Sequence, residues 1–158
     1  MYRRLVLTMI LPVALSACGS QSAPTTRTVS HSSPVGAASP MVLSQQLRSE
    51  HGSSVTGTAT VTTSDPSFTI RLQVAGLRPS TRHPSHIHAG ACGSNGPVVF
   101  PLEVLTADGT GDAIATTVIR HAFNVPARGW YVCIHQGPAM TGAGDTPVAC
   151  ADLRRFLS

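Results

Sequence analysis

From Met41 onward the chain is organised by short alternations of apolar and polar residues. Phe68, Ile70, Leu72 and Val74 alternate with Thr69, Arg71 and Gln73, the period of two that marks a strand with one buried face. Val55 to Thr62 repeats the theme with Thr, Val and Gly. Ile114 to Ile119 and Gly129 to His135 are further β-branched or aromatic runs. Turn chemistry separates them: Ser64-Asp65-Pro66, Leu77-Arg78-Pro79-Ser80, Ala107-Asp108-Gly109 and Val125-Pro126-Ala127-Arg128-Gly129. No stretch holds a 3.6-residue apolar period between caps. Many short strands at regular spacing predict an all-β domain, an antiparallel sandwich or barrel, over residues 41–158.

The segment before this domain has a different logic. Arg3 and Arg4 precede a short apolar core from Leu5 to Leu15, too short to span a bilayer and followed by small residues. Leu15-Ser16-Ala17-Cys18 resembles the bacterial lipobox. Residues 1–17 are therefore expected to be a lipoprotein signal peptide, with Cys18 lipidated as the mature N-terminus. Residues 18–40 are rich in Ser, Thr, Pro and Ala. They lack the apolar surface needed to offset ordering entropy, so they read as a disordered tether, with His31 solvated inside it. The expected location is the cell envelope: lipid-anchored to a membrane, facing the periplasm or the cell exterior.

Charge changes the picture less than the isoelectric point of 9.3 suggests. Arg3 and Arg4 leave with the leader and Arg27 lies in the tether, so eight of eleven Arg face all seven acidic residues, a net of +1. No basic stripe carries interleaved aromatics, so nucleic acid is not an expected partner. There is no Lys, which removes Schiff-base chemistry. Neither Gly-x-Ser-x-Gly nor His-Glu-x-x-His occurs, which removes the common serine-hydrolase and zinc-protease readings. With Cys18 assigned to lipid, Cys92, Cys133 and Cys150 remain. An exported domain permits a disulfide, but the sequence does not pair three thiols.

The candidate chemistry lies in histidines. In His86-Ile87-His88 a strand sends both imidazoles to one face and Ile87 to the other. In Trp130-Tyr131-Val132-Cys133-Ile134-His135, Trp130, Val132 and Ile134 suit the core, while Tyr131, Cys133 and His135 share the opposite face. Three imidazoles from two strands suit Cu, Zn, Fe or Ni, with Cu(II) favoured on affinity. Cys133 has two readings. It is a small buried residue that packs as a hydrophobe, or a soft accessory thiolate ligand that favours Cu(I).

These residues carry a resemblance to the Cu/Zn superoxide dismutases. Val74-Ala75-Gly76-Leu77, His83-Pro84-Ser85-His86-Ile87-His88, Cys92, Gly96-Pro97 and Pro101-Leu102 follow that family's order and spacing, as do Val55-Thr56-Gly57 and Val148-Ala149-Cys150. The resemblance spans about residues 41 to 153 and implies a Greek-key antiparallel β-sandwich. It implies copper ligands at His86, His88 and His135, a supporting histidine at His83, and a disulfide between Cys92 and Cys150. Asn95-Gly96-Pro97-Val98-Val99-Phe100 is also similar to chordin-type domains.

The departures bear on function. Val98 stands where the enzymes place the histidine that bridges copper and zinc. Glu103 runs directly into Val104-Leu105 and the turn at Asp108-Gly109, where the zinc loop belongs. Pro147 replaces the arginine that guides superoxide, and the segment from His135 to Cys150 is too short for a charge-steering loop. The expectation is one copper ion and no zinc. Two functions fit: a copper-only superoxide dismutase acting on a small inorganic substrate, or a non-catalytic copper-binding or carrier lipoprotein. Oligomeric state has no signature in the sequence.

Overall fold

Apolar side chains at every second position force each strand to bury one face, and two sheets packed face to face satisfy all of them at once. The computed structural model describes residues 39–64, 66–120 and 127–153, all within a unit spanning 37–158. The leader at residues 1–17, Cys18 and the tether up to residue 38 lie outside the described residues. Among the described residues the strands are β1 Val42–Gln46, β2 Arg48–Ser49, β3 Thr56–Ser64, β4 Ser67–Ala75, β5 Arg82–His83, β6 Ser85–Ala89, β7 Val98–Pro101, β8 Leu105–Thr106, β9 Ala113–Ile119, β10 Trp130–His135 and β11 Pro147–Asp152. One 3₁₀ turn, Gly142–Asp145, interrupts them.

The strands form a four-stranded sheet, β1-β3-β4-β9, and a five-stranded sheet, β2-β11-β10-β6-β7, with a small pair β5-β8. All pairings are antiparallel. Consecutive strands are often not neighbours: β10 lies between β6 and β11, and β9 returns to β4. These long crossovers make the Greek-key sandwich that the resemblance implies.

One core lies between the sheets. Ala59 and Val61 of β3 and Phe68, Ile70, Leu72 and Val74 of β4 meet Ile87 of β6 and Trp130, Val132 and Ile134 of β10. The alternation in β4 is as the sequence predicts, with Arg71 and Gln73 exposed between buried apolar residues. Fully burying one such side chain contributes about 1.5–3 kcal/mol. Trp130 anchors the five-stranded sheet, its ring edge-on to Phe100 at 5.3 Å and beside Phe68 at 6.0 Å.

Two irregularities shape the site. In β10–β11, Ile134 pairs with Ala149 and His135 with Pro147, leaving Val148 as an extra residue. In β6–β7, Ile87 pairs with Phe100 and His88 with Val98, leaving Val99 extra. Such bulges bend a strand and re-aim its side chains. Pro147 has no N–H to contribute to a ladder, so a bulge at a strand start is a suitable place for it. Where a zinc loop was expected to be missing, Leu102 leads through β8 to a tight turn. There the Asp108 carboxylate accepts from the Thr110 amide at 2.8 Å and the Asp112 amide at 3.0 Å.

Candidate metal centre

β6 and β10 are adjacent, with His86 opposite Cys133 and His88 opposite Tyr131. Because Ile87 is wholly buried in the core, both β6 histidines project from the outer face of the five-stranded sheet. Trp130, Val132 and Ile134 of β10 also enter the core, so Tyr131, Cys133 and His135 join that outer face. His86, His88 and His135 converge there, each offering a nitrogen within 4.8 Å of the others. Their ring centroids are 5.3–6.0 Å apart.

Hydrogen bonding determines which nitrogen each ring presents. His88 Nδ1–H donates to the Gly96 carbonyl at 2.8 Å, and His135 Nδ1–H donates to the Asp145 carbonyl at 2.8 Å. A carbonyl only accepts, so both rings carry their proton on Nδ1 and leave Nε2 as a bare lone pair. His88 Nε2, His135 Nε2 and His86 Nδ1 are buried and have no hydrogen-bond partner. Three unpartnered nitrogens brought together, two of them fixed as acceptors, are costly in a protein interior and are suited to a cation. Burial, and then the neighbouring rings of His135 and His88, hold His86 below the usual histidine value of 6.5, with Asp145 opposing weakly. Its neutral, ligating form is thereby favoured.

A ring of supporting contacts holds the trio. His83 is buried; its Nδ1–H donates to the His135 carbonyl at 3.1 Å, and its Nε2 lies 2.8 Å from the Thr81 hydroxyl. Tyr131 stacks on His88 with ring centroids 5.1 Å apart and accepts from the Gly96 amide at 3.2 Å. The backbone of one residue, Gly96, therefore ties Tyr131 to His88 through its N–H and its carbonyl. A Cβ on Gly96 would lie 1.7 Å from the Ala89 carbonyl oxygen, so only glycine allows this approach. The disulfide joins Cys92 and Cys150, with Cα atoms 5.8 Å apart, as the resemblance implies. It fastens the loop that carries Gly96 to β11.

Cys133 sits outside the histidine cluster. It packs with Tyr131 and Cys150, and its sulfur lies 4.0 Å from the Ile134 carbonyl. Burial, reinforced by Glu50 and Asp145, pushes its thiol up to about 12. These surroundings favour a packed, protonated thiol over a ligating thiolate. A second group, Glu50 with Cys92 and Cys150, brings three potential ligand atoms together, but two are the disulfide sulfurs and offer no thiolate. Val98 is about half exposed on β7 and carries no donor atom.

A cavity of about 540 Å³ reaches two of the three histidines, His88 and His135, and is lined further by Tyr131 and Asn95 together with Glu50, His51 and Asp145. Sequence reasoning missed Glu50, His51 and Asp145, which lie far from the His-x-His motif along the chain. It also missed the two backbone carbonyls, which no residue type announces.

A Greek-key sandwich with three histidines on the outer face of its larger sheet defines a protein of the Cu/Zn superoxide dismutase fold. The chain belongs to the CHRD-domain family, whose model matches residues 38–143, in keeping with the chordin-type similarity around Gly96. Among solved structures it is similar to the Cu/Zn superoxide dismutase from Brucella abortus, at 17% identity and a TM-score of 0.51, covering 72% of this chain and 99% of that one. It is also similar to a double mutant of a SOD-like protein from Bacillus subtilis, at 18% identity and a TM-score of 0.50, covering 70% of this chain and 95% of that one. At these identities the likeness establishes the fold. No curated protein sequence matches the chain.

Proposed function

We propose that the domain binds one copper ion on His86 Nδ1, His88 Nε2 and His135 Nε2, and that it stores or passes on that ion in the cell envelope. The observation that carries this reading is the set of three buried, unpartnered nitrogens directed at one another while the opposite nitrogens of His88 and His135 are engaged. An all-imidazole set suits a borderline divalent ion, and Cu(II) lies above zinc in affinity for such donors. Copper bound there would supply one-electron redox chemistry. Zinc as a second resident ion is not part of the proposal, since Val98 offers no ligand. The anchor is proposed to be Cys18, with the mature chain tethered to a membrane through residues 18–40.

A second reading, a copper-only superoxide dismutase, is favoured by the cavity that reaches His88 and His135 and is large enough for a small molecule. Metal analysis of the mature chain, followed by a superoxide assay on the same sample, separates the two. The storage or carrier reading predicts about one copper per chain with turnover per copper not above that of free Cu(II). Fast turnover that scales with bound copper would establish the enzyme instead.

A further inference from the structure

The charge of the cavity in front of the trio is unusual for a site serving an anion. Among the described residues its charged lining groups are two carboxylates, Glu50 and Asp145, and no Arg lines it. Asp145 places Oδ1 3.5 Å from His135 Nδ1, with its side chain more than half exposed to the opening. Glu50 follows β2 and has Oε1 3.0 Å from the Cys150 sulfur, which as part of the disulfide has no proton to give. Arg48, two residues earlier, does not line the cavity; its Nη2 lies 3.9 Å from Asp152 and 4.0 Å from the Cys150 sulfur, so it offsets part of the Glu50 charge from behind the wall. His51 donates from Nδ1 to the Pro147 carbonyl at 3.1 Å, so its Nε2 lone pair is left over at the wall. His135, only 4% exposed, forms part of the floor with Nε2 unpartnered.

We infer that this wall makes the approach to the histidine trio cation-selective, so that the cavity is an entry path for a metal cation and holds off small anions. The inference rests on the trio being a copper site and states how that site is reached. Two carboxylates on a concave wall focus a negative potential, and such fields change association rates by about 10- to 1,000-fold. They also offset the positive charge of a bound ion, so an arriving anion meets a nearly neutral site. Glu50 and His51 supply a carboxylate oxygen and an imidazole nitrogen, both acceptable transient donors for a copper ion on its way inward.

The test measures Cu(II) uptake by the mature chain in sodium perchlorate at about 0.01 M and about 1 M, where the screening length falls from about 30 Å to about 3 Å. It is run on the wild type, Glu50→Gln and Glu50→Arg, and azide is then titrated onto each copper-loaded chain. The wild-type uptake rate should fall about tenfold or more with salt, an arm that needs no variant. At low salt uptake should slow from wild type to Gln to Arg, and azide affinity should rise in the same order, with both trends fading at high salt. Uptake indifferent to salt, with equal azide affinity in all three chains, would overturn the inference while leaving the copper site standing. A wild-type chain that takes up no copper would overturn the site itself and the inference with it.

Discussion

His86 differs from its two companions in having no carbonyl to fix its tautomer; burial and neighbouring imidazoles keep it neutral instead. Its proton affinity is lowered on folding, so the unfolded chain binds the proton more tightly. The stability this contributes is present above pH 6.5 and is lost as pH falls through the lower folded value. The metal-free domain should therefore show a urea midpoint that declines below about pH 6.5, and His86→Ala should flatten that decline; an unchanged slope in the variant would contradict the assignment. Cys133 is the other residue whose surroundings decide its role. Cys133→Ala should cost about 1 kcal/mol of stability through lost packing and leave the visible spectrum of the copper form unchanged. A lost charge-transfer band would return the thiol to the metal.

At the scale of elements, the site depends on β6 and β10 lying side by side and on the loop between β6 and β7. That loop supplies Gly96, and the disulfide fastens its start to β11. Gly96→Ala should weaken copper binding by about 10- to 100-fold, the range seen when groups that orient metal ligands are removed. The reason is the short approach to Ala89. Replacing Cys92 and Cys150 together by Ser should lower stability by about 4 kcal/mol on the chain-entropy account and loosen the same loop, readable as a lower urea midpoint. Long strands and the His-x-His face were legible in the sequence: alternation in β4 follows from one buried face, while β10, buried along its whole length, reads as an apolar run. The two-residue strands β2, β5 and β8 were not, since two residues carry no period. Gly96 was legible only as part of the resemblance; its carbonyl joins the site where the loop between β6 and β7 brings it to His88.

For the whole molecule, topology is what joins distant positions. Glu50 and His51 reach the cavity because β2 pairs with β11, a contact between residues about a hundred apart that local patterning cannot encode. The fold was legible because the order of the motifs and the spacing of the cysteines follow those of a known fold. The charge of the cavity was half legible: that Pro147 brings no positive charge could be read, but the carboxylates that border the opening could not be placed. On the function proposed above, three imidazoles bordered by acidic groups are better matched to holding a cation than to attracting an anion.

The central claim is the ligand set, and anomalous diffraction at the copper edge from copper-loaded crystals tests it directly. One strong peak per chain is predicted, within about 2.0–2.2 Å of His86 Nδ1, His88 Nε2 and His135 Nε2, close to usual metal–imidazole distances. A copper peak placed elsewhere, or none at this trio in crystals whose solution sample holds copper, would contradict the account.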